Sequence, residues 1–95
     1  MIELIRDLEE RFREKYQGYR MEIHRNPELS YHEEKTSSLV SKVLKGLGME
    51  VRDRVGGYGV VGILRGRGPG RCVGLRADMD ALSIQENTGL PWASE

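Results

Sequence analysis

Apolar residues recur at steps of three and four along the first part of the chain, and charged residues fill the positions between them. This spacing puts the apolar side chains on one side of a helix, so the pattern predicts a long amphipathic helix. Asn26-Pro27 ends the predicted helix near Arg25, because the residue before a proline is disfavoured in the helical conformation. The apolar stripe of this helix consists of Ile2, Ile5, Leu8, Phe12, Tyr16, Tyr19 and Ile23.

A second helix is predicted from about Tyr31 to Leu47. Ser30 followed by Glu33 fits a capping box, in which the serine oxygen accepts from the backbone N–H three residues on and the glutamate reaches back. Gly48 can take the left-handed conformation that closes a helix. The predicted apolar face of this helix consists of Thr36, Leu39, Val40, Val43, Leu44 and Leu47.

Beyond Gly48 the apolar period shortens from near four to near two, which is typical of strands. Three strands are predicted, at Met49–Val55, Gly59–Arg65 and Arg71–Arg76. The glycine-rich connections between them are short enough for antiparallel hairpins. The predicted fold class is therefore α/β, with two amino-terminal helices followed by a three-stranded piece of sheet in one domain that covers residues 1–95.

Charge and composition exclude several classes of partner. Fifteen basic residues balance fifteen acidic ones, so no overall field attracts nucleic acid or an anionic membrane. The apolar runs are too short to span a bilayer. We expect no nucleic-acid partner and no membrane partner. The start of the chain lacks the residue order of a secretory signal, and one cysteine cannot form an internal disulfide, which makes the cytoplasm the expected location.

Asp78 and Asp80 are the candidate site residues that the pattern singles out. They follow the third predicted strand, and the carboxyl ends of strands in α/β proteins commonly assemble sites. Paired carboxylates at such a position can bind a divalent ion or orient a ligand imidazole. The same spacing suits an aspartate that caps the following turn, or two solvated loop carboxylates, and spacing alone leaves these alternatives open.

Other residues with chemical potential are predicted to be structural. His24 and His32 have no further ligand at metal-binding spacing, so we expect His24 to hydrogen-bond a loop and His32 to lie in the first turn of the second helix. Cys72 is expected to be a small core hydrophobe in the third strand. The glycine-rich loops lack the sequence of a phosphate-binding loop and are expected to be turns. A solvated hairpin is expected for Arg65, Arg67 and Arg71, since no aromatic residue is interleaved with them for base stacking.

Several separate segments occur in an order and spacing that together indicate one protein family. They are Arg20-Met21-Glu22-Ile23-His24-Arg25-Asn26-Pro27-Glu28-Leu29-Ser30 with the Glu33 and Thr36 that follow, Gly57–Gly62, Leu75–Leu82 and Glu86–Ser94. Through them the chain closely resembles the opening of the amidohydrolases that include hippurate hydrolase, N-acyl-amino-acid amidohydrolase and indole-acetyl-amino-acid hydrolase. The resemblance covers nearly the whole chain from Tyr19 onward.

The resemblance implies a metal-dependent hydrolase that cleaves the amide bond of N-acyl amino acids. It implies a metal pair, usually zinc, manganese or cobalt, in a zinc-exopeptidase-like catalytic α/β domain that carries an inserted dimerisation domain. The chain would be the amino-terminal part of that catalytic domain, and the parent protein would be a homo-oligomer. The metal-binding segment His-Ala-Cys-Gly-His-Asp and the glutamate base would lie beyond Glu95. We therefore assign no metal ligand to these residues and expect them to be inactive alone.

The resemblance also implies roles for the two aspartates. Asp78 matches the position where more distant relatives carry a metal-binding histidine, and it would help to shape the mouth of the site. Asp80 matches the aspartate that orients a metal ligand. The family usually places a proline where Ser83 stands here, so this chain loses a fixed φ and gains a backbone N–H that needs a partner. The segment Ile23–Leu29 is expected to end the helix and pack, with no catalytic part.

A second hypothesis comes from a different class of protein. The chain could be a stand-alone, non-catalytic α/β interaction module that binds a partner chain through the apolar stripe or through uncovered strand edges. Such a module would be a folded monomer or a defined complex without metal.

Overall fold

The computed structural model of the protein describes residues 1–91 and 93–94. The described chain is α/β, with two helices and one antiparallel sheet of two strands. It divides into two compact units, which are called the α1 unit (Met1–Pro27 with Ile84–Glu95) and the α2 unit (Glu28–Ser83). The elements in chain order are α1 (Ile2–Arg25), α2 (Glu34–Gly46), β1 (Glu50–Val55) and β2 (Gly59–Ile63).

α1 confirms the first predicted helix and its end at Arg25. At that end the backbone N–H and the side-chain Nδ2 of Asn26 both donate to the Glu22 carbonyl, at 3.2 and 3.0 Å, which satisfies a carbonyl that the helix itself leaves free. No residue of α1 is buried, and Ile2 at the start of the apolar stripe is 67% exposed. The amino-terminal part of the stripe, from Ile2 to Leu8, therefore forms an uncovered apolar surface, whereas Phe12, Tyr19 and Ile23 are half-buried. No described helix is both long enough and apolar enough to cross a membrane.

α2 confirms the second predicted helix but begins at Glu34, later than the predicted Tyr31. The predicted capping box is wrong, because Glu33 occupies the N-cap without a side-chain capping bond and its Oε1 accepts from the Tyr31 N–H at 3.0 Å. The His32 N–H donates to the Leu29 carbonyl and closes a turn, in which Tyr31 has a φ of 68°. This turn keeps Leu29–His32 outside the helix. His32 thus lies before α2 and not in its first turn.

β1 and β2 confirm the first predicted hairpin. Arg52 pairs with Val61 and Val55 with Gly59, so β1 holds one extra residue between these pairs and forms a bulge. Arg54 lies in the bulge at a φ of 54°. A Cβ on Gly59 would collide with the carbonyl oxygen of Val55, so the tight closure of the hairpin requires glycine there.

α2 packs against this hairpin. A Cβ on Gly62 would lie 3.0 Å from both the Leu44 side chain and the Met49 sulfur, so the close approach of helix and sheet depends on this glycine. Gly48 takes the predicted left-handed conformation at a φ of 82° and ends the helix. Among the described residues no hydrophobic side chain is buried, and the buried side chains are the polar Thr36, Ser37 and Ser41. A unit this small has a high ratio of surface to volume, so its apolar side chains stay at most half-buried.

The third predicted strand, Arg71–Arg76, does not form. The whole stretch Leu64–Ser83, called the irregular segment, lacks helix and strand, and Leu75 within it is 96% exposed. A strand is stabilised by the neighbour that it pairs with, and in the described chain β1 and β2 pair only with each other. Cys72 is consequently exposed and not part of a core. The second glycine-rich connection likewise does not turn a hairpin.

Candidate functional site

Asp78 and Asp80 lie in the irregular segment of the α2 unit and not at the end of a strand. The Asp78 side chain is 76% exposed, and its Oδ1 accepts from the Arg76 guanidinium at 3.4 Å. A long, exposed pair of this kind contributes little to stability. Asp80 is also exposed. Neither aspartate caps a helix, and the prediction that they follow a strand is wrong because Arg71–Arg76 forms no strand.

The structure does bring both aspartates to one groove of about 470 Å3, which is called the aspartate groove. Its lining comes from Arg76–Asp80, from the turn before α2 and from the turn between β1 and β2. Glu33 adds a third carboxylate to the lining, and Arg76 adds one guanidinium. The lining therefore carries a net negative charge, which favours a positively charged group or a donor of hydrogen bonds.

Glu28 connects the aspartate groove to α2. Its carbonyl oxygen accepts from the Ala81 N–H at 2.8 Å, directly beside Asp80. Its side-chain oxygens accept from two backbone N–H groups in the first turn of α2, from Lys35 at 2.8 Å and from Thr36 at 2.7 Å. These N–H groups have no acceptor within the helix, so Glu28 performs the capping that the sequence assigned to Ser30 and Glu33.

The electrostatics of Glu28 follow from these contacts. Burial of the half-buried carboxyl opposes its ionisation, but the hydrogen bonds from the Lys35 and Thr36 N–H groups outweigh burial, and the pKa of Glu28 is lowered. The amino-terminal end of a helix also favours negative charge. Glu28 was not predicted as a functional residue, because a capping residue is normally expected directly before its helix and α2 begins only at Glu34. The one available signal was its place in a segment that matches the family.

A second carboxylate organises the α1 unit. Glu86 Oε1 lies 2.5 Å from His24 Nε2, and its Oε2 accepts from the Thr88 hydroxyl and the Ser94 N–H, both at 3.0 Å. The hydrogen bond with His24 is the main cause that lowers the pKa of Glu86, and burial opposes the shift. This contact confirms that His24 hydrogen-bonds a loop. Glu86 was not predicted as a functional residue, although it begins the matching segment Glu86–Ser94.

Further bonds attach the same loop to the end of α1. The Ser94 hydroxyl donates to the His24 carbonyl at 2.5 Å, and the Arg25 guanidinium donates to the Pro91 carbonyl at 3.0 Å. The segment Ile23–Leu29 therefore ends α1 and supplies groups that hold later parts of the chain, which agrees with its predicted packing role.

Comparison with curated proteins relates the chain to hydrolases. It is 53% identical over 77 residues to thermostable carboxypeptidase 1 of Saccharolobus solfataricus, 46% over 80 residues to hippurate hydrolase of Campylobacter jejuni, and 42% over 78 residues to N-acyl-L-amino acid amidohydrolase of Geobacillus stearothermophilus. These matches cover 80%, 84% and 82% of the chain. Most of the chain is thus similar to proteins named as amidohydrolases and carboxypeptidases. The resemblance inferred from its segments is confirmed.

The homology covers a limited part of each amidohydrolase. The chain spans about a fifth of the length of these relatives, 20% of the carboxypeptidase and 21% of the other two. No family model matches the chain, and no solved structure matches it significantly.

The described residues do not by themselves make up a metal site. Within residues 1–91 and 93–94, no three His, Cys, Asp or Glu side chains are grouped so that they could hold a metal ion. No histidine lines the aspartate groove. The groove thus offers carboxylates that could support a ligand supplied from elsewhere, and it lacks the mixed donor set that zinc prefers.

Proposed function

We propose that the chain is the amino-terminal part of the catalytic domain of a metal-dependent amidohydrolase. The parent protein would hydrolyse the amide bond of N-acyl amino acids or similar small amides. The observation that supports this most strongly is the identity of 42% to 53%, over about four fifths of the chain, to proteins named as hippurate hydrolase, N-acyl-L-amino acid amidohydrolase and carboxypeptidase. The parent would be a homo-oligomer in the cytoplasm.

Asp80 would orient a metal-bound imidazole in this parent, and Asp78 would shape the mouth of the site. Both line the same groove, and the backbone beside Asp80 is held by Glu28, which supports a fixed position for that carboxylate. A carboxylate that orients a metal ligand typically changes metal affinity or activity by about 10–100-fold. A zinc, manganese or cobalt pair would supply Lewis-acid polarisation of the amide carbonyl when bound. Its ligands would come from outside these residues, which alone would be inactive.

The decisive experiment is to read the gene past the codon for Glu95 and to assay the complete product. We expect an open frame that continues into His-Ala-Cys-Gly-His-Asp or a close variant. We expect the product to hydrolyse hippurate or N-acetyl amino acids, to lose activity with a chelator and to regain it with zinc, manganese or cobalt. A stop codon directly after Glu95, or a folded, metal-loaded product without amide hydrolysis, would contradict the proposal.

A complementation test uses the chain itself. The remaining part of the parent would be produced as a separate chain and mixed with residues 1–95 in the presence of metal. We expect hydrolysis only in the mixture, and the D80N variant should restore about 10–100-fold less activity than the wild-type chain. No gain of hydrolysis from a folded, metal-loaded mixture would count against the proposal.

A second candidate function, an interaction module, is supported by the exposed amino-terminal part of the apolar stripe of α1, from Ile2 to Leu8. Surfaces of this kind mark contacts with other proteins or with further parts of the same protein. The module predicts that residues 1–95 form a folded monomer or a defined complex without metal. Size-exclusion chromatography with light scattering and circular dichroism measure this, and an aggregating or molten chain would argue against the module.

A further inference from the structure

Among the described residues, the irregular segment makes one backbone hydrogen bond, from the Ala81 N–H to the Glu28 carbonyl, and this bond points to a new assignment. We propose that Glu28 is a positioning residue for the aspartate groove. Its carboxylate fixes the first turn of α2, and its backbone carbonyl fixes the backbone beside Asp80. The link between α2 and the groove can be tested without activity. Its consequence for hydrolysis rests on the proposed function.

The side-chain half of the link is well defined. The carboxylate of Glu28 accepts from the Lys35 and Thr36 N–H groups with one oxygen each, at 2.8 and 2.7 Å. A carboxylate that holds two N–H groups of one helical turn has its position and its plane determined together. Since the N-cap residue Glu33 makes no side-chain capping bond, Glu28 carries this task.

The backbone half reaches the groove. The Ala81 N–H donates to the Glu28 carbonyl at 2.8 Å, and within the described part of the chain this is the one backbone hydrogen bond made by the segment Leu64–Ser83. Ala81 is half-buried, whereas Asp80 and Leu82 on either side are exposed. Within the α2 unit, this bond thus ties the backbone beside Asp80 to the residue that caps α2.

The two halves are coupled because they belong to one residue. A side chain pinned at both oxygens restricts the torsions of Glu28 and so the direction of its carbonyl. Loss of the carboxylate frees the carbonyl to rotate, and the Ala81 N–H then loses its acceptor. Asp80 is the neighbouring residue, so its carboxylate would lose its fixed position in the groove. A residue that only caps the helix would leave Ala81 unaffected.

Amide hydrogen exchange of residues 1–95 separates these two roles. In Glu28→Gln one of the two acceptor oxygens becomes an NH2 donor that faces a backbone N–H group, so the two N–H groups no longer have an oxygen each. We expect exchange at Lys35, Thr36 and Ala81 to accelerate together by about tenfold or more. Glu34→Gln is the matched control, because it removes a charge from the same helical turn at an exposed position that makes no side-chain hydrogen bond among the described residues. It should change exchange at Ala81 by less than about twofold.

Two results would overturn the proposal. Faster exchange at Lys35 and Thr36 with unchanged exchange at Ala81 would make Glu28 a helix cap and nothing more. An Ala81 amide without protection in the wild-type chain would remove the link altogether. A scalar coupling through the hydrogen bond, between the Ala81 nitrogen and the Glu28 carbonyl carbon, tests the wild-type chain directly and covers the case in which the variant unfolds.

The complete enzyme gives an independent readout. We expect Glu28→Gln to lower kcat by about tenfold with a smaller change in KM, and Glu28→Asp to recover part of the loss, since the positioning acts on groups that work in the transition state. Glu34→Gln should behave as wild type. If the complete product has no amidohydrolase activity, the proposed function fails, and amide exchange still decides whether Glu28 positions Ala81.

Discussion

Glu28 and Glu86 are two carboxylates that organise the two units of the chain in different ways. Both accept several hydrogen bonds, and the pKa of each is lowered. Glu28 binds backbone N–H groups of α2, which belong to a helix and stay in place whatever side chains the helix carries. Glu86 depends chiefly on side chains, above all on the His24 ring.

The difference concerns what can break each contact. The His24 side chain is 47% exposed and that of Glu86 is 17% exposed, so water competes for the histidine and screens the pair. The partners of Glu28 carry no charge to lose and lie in one helical turn. Glu28 is therefore suited to hold a fixed geometry, whereas Glu86 forms an attachment that can be released by a change in either side chain.

The largest effect is expected from Glu28→Ala. It leaves two N–H groups of the first turn of α2 without their acceptor, and loss of a helix cap costs about 0.5–2 kcal/mol in the free energy of unfolding of the α2 unit. Urea denaturation followed by circular dichroism measures the change. Glu34→Ala removes a charge from the same turn without this loss, and an equal destabilisation by both variants would contradict the role of Glu28.

Glu86→Gln should have a smaller effect that is confined to the α1 unit. The variant weakens the contact with His24 but keeps a side-chain oxygen that can accept from the Ser94 N–H. We expect limited proteolysis in the stretch from residue 84 to residue 94 to become severalfold faster, while amide exchange in α2 stays unchanged. Faster exchange in α2 would show that the two carboxylates do not act separately.

Acidification should remove both contributions in the same direction. The folded pKa of each carboxyl is lowered, so the unfolded chain binds the proton at a higher pH than the folded chain does. Stability from these groups is therefore complete above the ordinary glutamate pKa and is lost as the pH falls through the lowered folded values. Carboxyl-carbon NMR from neutral pH down to about pH 3 measures both titrations. A folded pKa above the ordinary value for either group would contradict this sign.

The smallest effect is expected from Asp78→Asn, which provides a reference carboxylate without backbone partners. Its exposed contact with Arg76 is long, and removal of its charge should change the free energy of unfolding by less than about 0.5 kcal/mol. Denaturation midpoints of the variant and the wild-type chain measure it. A loss as large as that in Glu28→Ala would mean that Asp78 has a structural role.

The helices were predictable because their formation and their ends depend on residues that are close in sequence. The apolar spacing and Asn26-Pro27 gave α1 and its end, and Gly48 marked the end of α2. Arg71–Arg76 was misjudged because its residues favour a strand, yet a strand forms only where another strand supplies its hydrogen bonds. The prediction that Cys72 lies in a core was wrong for the same reason, because without the third strand Cys72 is exposed.

The sequence led to two candidate site residues but not to the contacts that hold the backbone beside them. The spacing and the family resemblance indicated Asp78 and Asp80, and the structure brings both to one groove. The roles of Glu28 and Glu86 were missed since each acts on groups that lie too far along the chain for a local motif to reveal. Such contacts are set by the fold and not by spacing.

The bond between Ala81 and Glu28 also bears on the order of folding. α2, β1 and β2 follow one another closely and contact each other, so they close short loops and can assemble early. The irregular segment must then close a long loop to reach Glu28. This closure costs more chain entropy, and one backbone hydrogen bond offsets it. We therefore expect the aspartates to be ordered last during folding and released first during unfolding, while the helix and hairpin beneath them remain formed.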